Sequence, residues 1–448
     1  MKKDSLLQSW RQILGRLDGE SLILKLPFIF SGVAIGLLSV TFAHTAEFAT
    51  EAFLEIFRRY PYLALLITPL GFVISRWIVL RFSSAAGGSG IPQVMAALEL
   101  ADKNPALVRR LLGIKILLTK IASNLVVLFG GGTTGREGPM VQIGASLFLV
   151  LGKRLRSFFP KLDDSTLIAS GGAAGIAAAF NTPLGGIVFA IEELVGSHFS
   201  RMRSSMLIAV IIAGFVAQAL VGPYLMFGNL SLTSPTYTIA AATLTISILM
   251  GLLGGVSSKI FMNGQTWVAA QTIRNKYIIS AVLGLAVAIL LVLTREEHIP
   301  GAGIPLIRDV LWKDVPLSPW VAAEKWLGMT LTFVSGIAGG FFAPTLTIGA
   351  IFGKSFSVWF VSQQAATLAL IGMVSLLSSM TRAPFTALVL VSEMSNGHSV
   401  ILPLMLASLI GLFVSQLVEK RSYYHFQTEF WLKQINPAPK VEPAEAVK

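Results

Sequence analysis

The sequence predicts an all-α polytopic membrane protein of two homologous halves, built from many tilted and broken helices. Three observations predict it. Hydrophobic residues make up 54% of the 448 and charged residues only 13%, about half the ~25% charged share of a soluble protein. Mean hydropathy is +0.72, which over this length excludes a string of ordinary soluble domains. Apolar runs follow one another from residue 22 to 418, and three short blocks recur in order at nearly one offset.

Taken from the start, residues 1–21 form a polar segment. Seven charges fall in residues 1–20 and five in residues 431–448, leaving 46 for the 410 residues between. Lys2, Lys3, Arg11 and Arg16 precede the first apolar run and no small-residue cleavage site follows it. The segment therefore reads as a cytoplasmic N-terminus, not a signal peptide. A membrane domain is expected over 22–430, its first half covering 22–227 and its second 236–430, with 431–448 as a short polar tail. The apolar runs are 22–43, 61–80, 111–130, 165–191, 205–227, 238–258, 277–294, 326–351, 365–379 and 385–418. Several are too short to span a ~30 Å hydrocarbon core upright, and many are interrupted by Gly or Pro. Broken helices are tolerated at membrane depth where they are buried in protein or line a watery path. That points to transport.

The repeat carries the most information. Gly88-Ser89-Gly90-Ile91-Pro92 returns as Gly301-Ala302-Gly303-Ile304-Pro305, an offset of 213. The stretch from Gly135-Arg136-Glu137-Gly138-Pro139 to Ala145 returns as Gly340-Phe341-Phe342-Ala343-Pro344 to Ala350, an offset of 205. Asn181-Thr182-Pro183 through Glu192 returns as Arg382-Ala383-Pro384 through Glu393, an offset of 201. Paired membrane halves are the mark of secondary transporter folds, whose sites lie between the repeats near the bilayer midplane.

Each Gly-rich block places a proline ahead of an apolar run. Proline suits the first helical position, where the amide it lacks has no intrahelical partner. The glycines before it let the backbone turn so that free N–H groups point outward. Three such starts converging between two repeats would build a positive cavity without full cations, which is an anion site. Glu137 sits inside one of these starts, where its carboxylate can stand in for a bound anion and leave on protonation. Glu192 and Glu193 end another apolar run, a setting in which carboxylates mark proton pathways.

Other chemistry is excluded or unsupported. The chain has no cysteine, so disulfides, thiolate metal sites and cysteine nucleophiles are ruled out. The five histidines, His44, His198, His298, His398 and His425, lie far apart, and no metal site is expected. Gly130 to Glu137 mimics the spacing of a phosphate-binding loop but lacks its lysine and its hydroxyl. Net charge is +12, yet no basic run is long enough for nucleic acid. The excess is assigned to cytoplasmic loops and anionic lipid. No cofactor is expected, and no nucleophile–base pair marks an enzyme.

At these residues the chain resembles the CLC family of chloride channels and chloride/proton antiporters, of the bacterial type without CBS domains. The family's three signatures, GSGIP, G(K/R)EGP and GxFxP, stand in order at residues 88–92, 135–139 and 340–344, and the similarity spans about 25–430. The resemblance implies an inverted repeat and a homodimer in which each subunit carries its own anion path. It implies that the Ser89 hydroxyl and the backbone amides of Phe341 and Phe342 bind the anion. A tyrosine near the end of the domain completes that site. Tyr423 and Tyr424 compete for this role, and spacing from the preceding helix favours Tyr424. Glu137 matches the gating glutamate that alternates between anion mimic and proton carrier. Glu193 matches the inner proton-transfer glutamate, a valine in the family's true channels.

The resulting expectation is a multi-pass protein of a bacterial cytoplasmic membrane, with chloride and protons as substrates and membrane lipid around it. It exchanges chloride, or a similar small anion, for protons. The alternative is a passive voltage- or pH-gated chloride channel, which Glu193 disfavours. A fluoride-exporting member is disfavoured by Ser89 and Pro139. Gly130 to Thr134 are expected to alter the outer vestibule.

Overall fold

A computed structural model describes residues 22–160, 162–195, 199–222, 225–228, 230, 237–313, 318–360 and 364–436. The N-terminal segment 1–21 and residues 437–448 of the tail lie outside the described residues. Among those described there is no strand. The first half contains α1 (Leu22–Arg59), α2 (Ala64–Phe82), α3 (Ile91–Ala101), the single-turn α4 (Pro105–Val108) and α5 (Ile114–Phe129). It continues with α6 (Glu137–Leu155), α7 (Asp164–Phe180), α8 (Pro183–Phe189) and α9 (Phe199–Val221). The second half contains α10 (Tyr237–Ala270), α11 (Ile273–Thr294), α12 (Ile304–Trp312), α13 (Pro319–Val334) and α14 (Phe342–Ser355). It closes with α15 (Ala365–Thr381), α16 (Pro384–Ser395), α17 (Ile401–Val418) and α18 (Tyr423–Ile435). The last helix runs five residues past 430, where the tail was expected to begin.

Among the described residues six helices are long and apolar enough to cross a membrane, α1, α10 and α11 included. Three of the apolar runs break in two. Run 165–191 divides at Asn181, whose left-handed backbone (φ 56°) ends α7 just before Pro183 starts α8. Run 385–418 divides at Asn396 (φ 53°) in the same way, since a short polar side chain tolerates this conformation. Run 326–351 divides between α13 and α14, across residues 335–341.

The repeat is visible in the packing. α6 packs on α7, and its counterpart α14 packs on α15. Both pairs cross at glycines. A Cβ on Gly144 would fall 2.2 Å from the Gly171 carbonyl oxygen, and one on Gly349 would fall 2.4 Å from that of Gly372. No other residue permits backbones so close, and small residues are the usual means of tight helix contact in membranes.

The Gly-Pro helix starts correct one expectation. Proline is not the first helical residue in the three signatures: Pro92 is second in α3, while Pro139 and Pro344 are third in α6 and α14. The physics still holds, because the first several amides of any helix lack intrahelical acceptors. Gly90 and Gly303 precede α3 and α12 with φ of 103° and 83°, left-handed turns that a Cβ would strain.

Candidate functional site

Backbone pairing brings the three signatures together. Gly88 forms a bridge with Ala338, and Gly135 forms an antiparallel bridge with Gly340. The Gly135 amide donates to the Gly340 carbonyl at 2.8 Å and the return bond is 3.0 Å. A Cβ on Gly138 would fall 2.6 Å from Ser89 Oγ, and one on Gly340 would fall 3.0 Å from the Gly138 nitrogen. The starts of α3, α6 and α14 thus meet at one buried point, and none of them has a side-chain cap. Their first-turn amides carry partial positive charge, and the Glu137 carboxyl group is the side chain that meets them at the starts of α6 and α14.

Two buried lysines hold this arrangement. Lys120 Nζ donates to the carbonyls of Ala86 at 2.9 Å and Gly88 at 2.8 Å, in the loop that leads into α3. Lys325 Nζ donates to His298 at 2.8 Å, Ile299 at 3.1 Å and Gly301 at 3.3 Å, in the loop that leads into α12. Both residues are fully buried. Burying an ammonium costs several kcal/mol, and hydrogen bonds to a charged donor return about 1.5–3 kcal/mol each. The three carbonyl acceptors offset part of that cost at Lys325. The two lysines stand 205 residues apart, the offset of the second signature, so the repeat itself could have revealed them.

All the residues expected in the anion site are buried there: Ser89, Phe341, Phe342 and Tyr424, with exposures of 2% or less. The two tyrosines differ sharply. The Tyr423 hydroxyl donates to Gln265 Oε1 at 2.8 Å and is satisfied. The Tyr424 hydroxyl approaches that of Ser89, yet neither oxygen makes a hydrogen bond of normal geometry. Tyr424 stacks on the rings of Phe341 and Phe342, at centroid distances of 5.7 and 6.4 Å. The Tyr424 ring is thus packed between aromatic neighbours. A buried, unsatisfied hydroxyl costs about 1–3 kcal/mol, so two facing each other invite an acceptor.

The Glu137 carboxyl group is 2% exposed and lies among the backbone amides of Arg136, Glu137 and Ala343. Sequence reasoning named the amides of Phe341 and Phe342 but missed that of Ala343. One carboxylate oxygen of Glu137 has no partner. Glu137 also lines a cavity of about 650 Å³ with His44, Glu47, Thr134, Arg136 and Pro300. Thr134 also lines this cavity, while Thr133 turns inward and donates to the Ile299 carbonyl at 2.8 Å. A second cavity, of about 110 Å³, is lined by Ser89, Gln265, Tyr423 and Gln427.

Glu193 lies where the run after α8 widens into a π-helical turn, Ala190–Val195, a feature that recurs at functional sites. It is 8% exposed with one oxygen unpartnered. Phe189, four residues before it, packs on Phe342 with centroids 6.3 Å apart. Neighbouring Glu192 points elsewhere, accepting from the Phe385 and Thr386 amides at 3.1 and 2.7 Å. Among the described residues no group of three His, Asp or Glu side chains is placed to hold a metal.

The chain is similar in sequence and fold to known proteins. The chain is 33% identical over 385 residues to the H(+)/Cl(-) exchange transporter ClcA of Vibrio parahaemolyticus, covering 81% of this chain and 78% of the relative. It is 30% identical over 438 residues to that of Cronobacter sakazakii, covering 92% and 91%. The fold matches a slow cyanobacterial Cl-/H+ antiporter with a TM-score of 0.78 at 26% identity, covering 92% of this chain and 98% of that one. A CLC-type fluoride/proton antiporter matches in fold with a TM-score of 0.75 at 23% identity, over 91% of this chain and 98% of that one. The family profile described as voltage gated chloride channel matches residues 70–416. This integral membrane protein belongs to the CLC family.

Proposed function

We propose that the protein is a chloride/proton antiporter. The observation that carries this reading is a pair of buried carboxyl groups, Glu137 and Glu193, each with an unpartnered oxygen, near a pocket of free hydroxyls and uncapped helix starts. Ser89, Tyr424 and the amides of Phe341 and Phe342 bind the anion. Ala343 joins them when Glu137 withdraws. Glu137, when ionised, takes the amides for itself; when protonated it gives them up, so anion entry and proton uptake alternate at one place. Glu193, away from the helix starts, carries the proton onward without meeting the anion. The named activities of the ClcA relatives support the choice of ions. The passive-channel alternative gives Glu193 no task.

Orientation follows from charge. Arg109, Arg110, Lys115 and Lys153 gather at the face where α6 ends, and basic loops favour the cytoplasm. Arg58, near the end of α1, lines the Glu137 cavity. At ~1.5 Å per residue the 38-residue α1 carries its start to the opposite face, so residues 1–21 are cytoplasmic. We read the protein as residing in a bacterial cytoplasmic membrane, as a homodimer with one path per subunit. The exposed Phe215, Phe413 and Leu417 on α9 and α17 offer an apolar surface for the partner.

The test is reconstitution into liposomes with simultaneous recording of chloride efflux and internal pH. An imposed chloride gradient should drive protons uphill. Chloride efflux with no uphill proton movement would replace the antiporter with the channel.

A further inference from the structure

A cavity of about 730 Å³, apart from the anion site, opens between the end of α2, the turn before α5, the end of α6 and the last turn of α18. Arg109, Arg110, Lys115 and Lys153 line it, and no carboxylate does. Arg109 and Lys115 are exposed and form no ion pair among the described residues. Arg110 donates to the Ile435 carbonyl at 3.4 Å, and Lys153 lies 3.8 Å from Asp164, a carboxylate already held by Arg156. Four like charges around one void therefore face almost no counter-charge from the protein. The first turn of α5, which has no side-chain cap, adds partial positive charge of its own.

The cations border an apolar strip. Ile114 and Leu118, one turn apart on α5, are 53% and 59% exposed. A soluble anion uses only the charges; a lipid uses both the charges and the strip. We propose that this cavity seats the phosphate headgroup of an anionic phospholipid, with an acyl chain lying along Ile114 and Leu118. Leu80, Ser84, Trp431 and Gln434 line both this cavity and the smaller one beside Ser89. A bound headgroup thus touches α18, the helix that carries Tyr424.

The experiment reads binding, so it succeeds or fails independently of the antiport reading. Full-length protein is reconstituted in mixed phosphatidylglycerol and phosphatidylcholine vesicles, extracted in mild detergent, and analysed by native mass spectrometry. Wild type should retain phosphatidylglycerol selectively. The R109Q/K115Q double variant should bind it ~30-fold more weakly, the share expected from two cations, with an unchanged melting temperature. R109K/K115R should bind like wild type. Equal retention of phosphatidylglycerol by R109Q/K115Q, or of phosphatidylcholine by wild type, would overturn the proposal. So would Arg109- and Lys115-dependent binding of inorganic phosphate without retention of phosphatidylglycerol, which would make the ligand a soluble phosphate.

Discussion

Glu192 and Glu393 perform the same task in opposite halves. Glu192 accepts from the Phe385 and Thr386 amides at the start of α16, and Glu393 accepts from the Leu184 and Gly185 amides at the start of α8, at 3.1 and 2.7 Å. Each carboxylate caps the start of the apolar segment whose far end carries the other. This reciprocal cap separates Glu192 from its neighbour Glu193, which occupies no such position. Glu192→Ala or Glu393→Ala should lower stability by about 2–4 kcal/mol, since each leaves amides unpaired that had a charged acceptor. Glu193→Gln should leave the melting temperature in place and stop proton transport while chloride still crosses. Loss of coupling in Glu192→Gln with coupling intact in Glu193→Gln would reverse the roles.

The tyrosines should separate stability from binding. Tyr423→Phe removes the bond to Gln265 and should cost about 1 kcal/mol in thermal unfolding, with chloride affinity unchanged. Tyr424→Phe removes a hydroxyl without a protein partner. It should weaken chloride binding about fivefold by titration calorimetry, with stability held or raised. Equal binding losses in the two variants would place both hydroxyls at the anion.

Glu137→Ala and Glu137→Gln can neither compete for the amides nor carry a proton. Chloride flux should persist with a much flatter pH dependence, and chloride-driven proton pumping should vanish. Retained pumping in Glu137→Ala would remove the residue from the proton path.

Ser89→Pro deletes the hydroxyl that faces Tyr424. Compact chloride should lose more than nitrate, so the nitrate-to-chloride flux ratio in liposomes should rise. An unchanged ratio would take Ser89 out of selectivity.

Much of the architecture was legible because it rests on local chemistry. The Gly-Pro blocks at 88–92, 135–139 and 340–344 identify helix starts, and their recurrence identifies the halves. What stayed hidden depends on contacts between distant segments. Spacing from the preceding helix favours Tyr424 only weakly; the bond of Tyr423 to Gln265, 158 residues away, is what sets the two hydroxyls apart. The caps by Glu192 and Glu393 need both halves present. Apolar runs such as 165–191 hid their breaks because a single Asn with φ of 56° leaves hydropathy nearly unchanged.

The pairing of Gly88 with Ala338, and of Gly135 with Gly340, sets a schedule for synthesis. Gly88 waits for a partner 250 residues further along, and Gly135 waits for 205. At ~5–20 residues per second, the first half spends roughly 10–50 s in the membrane with the start of its ion path unmade. Over that interval α3 and α6 must be held by their own half, through Lys120 on the carbonyls of Ala86 and Gly88 and through the glycine crossing of α6 with α7. A ribosome paused between Gly135 and Ala338 would therefore leave an inserted chain with no assembled anion site.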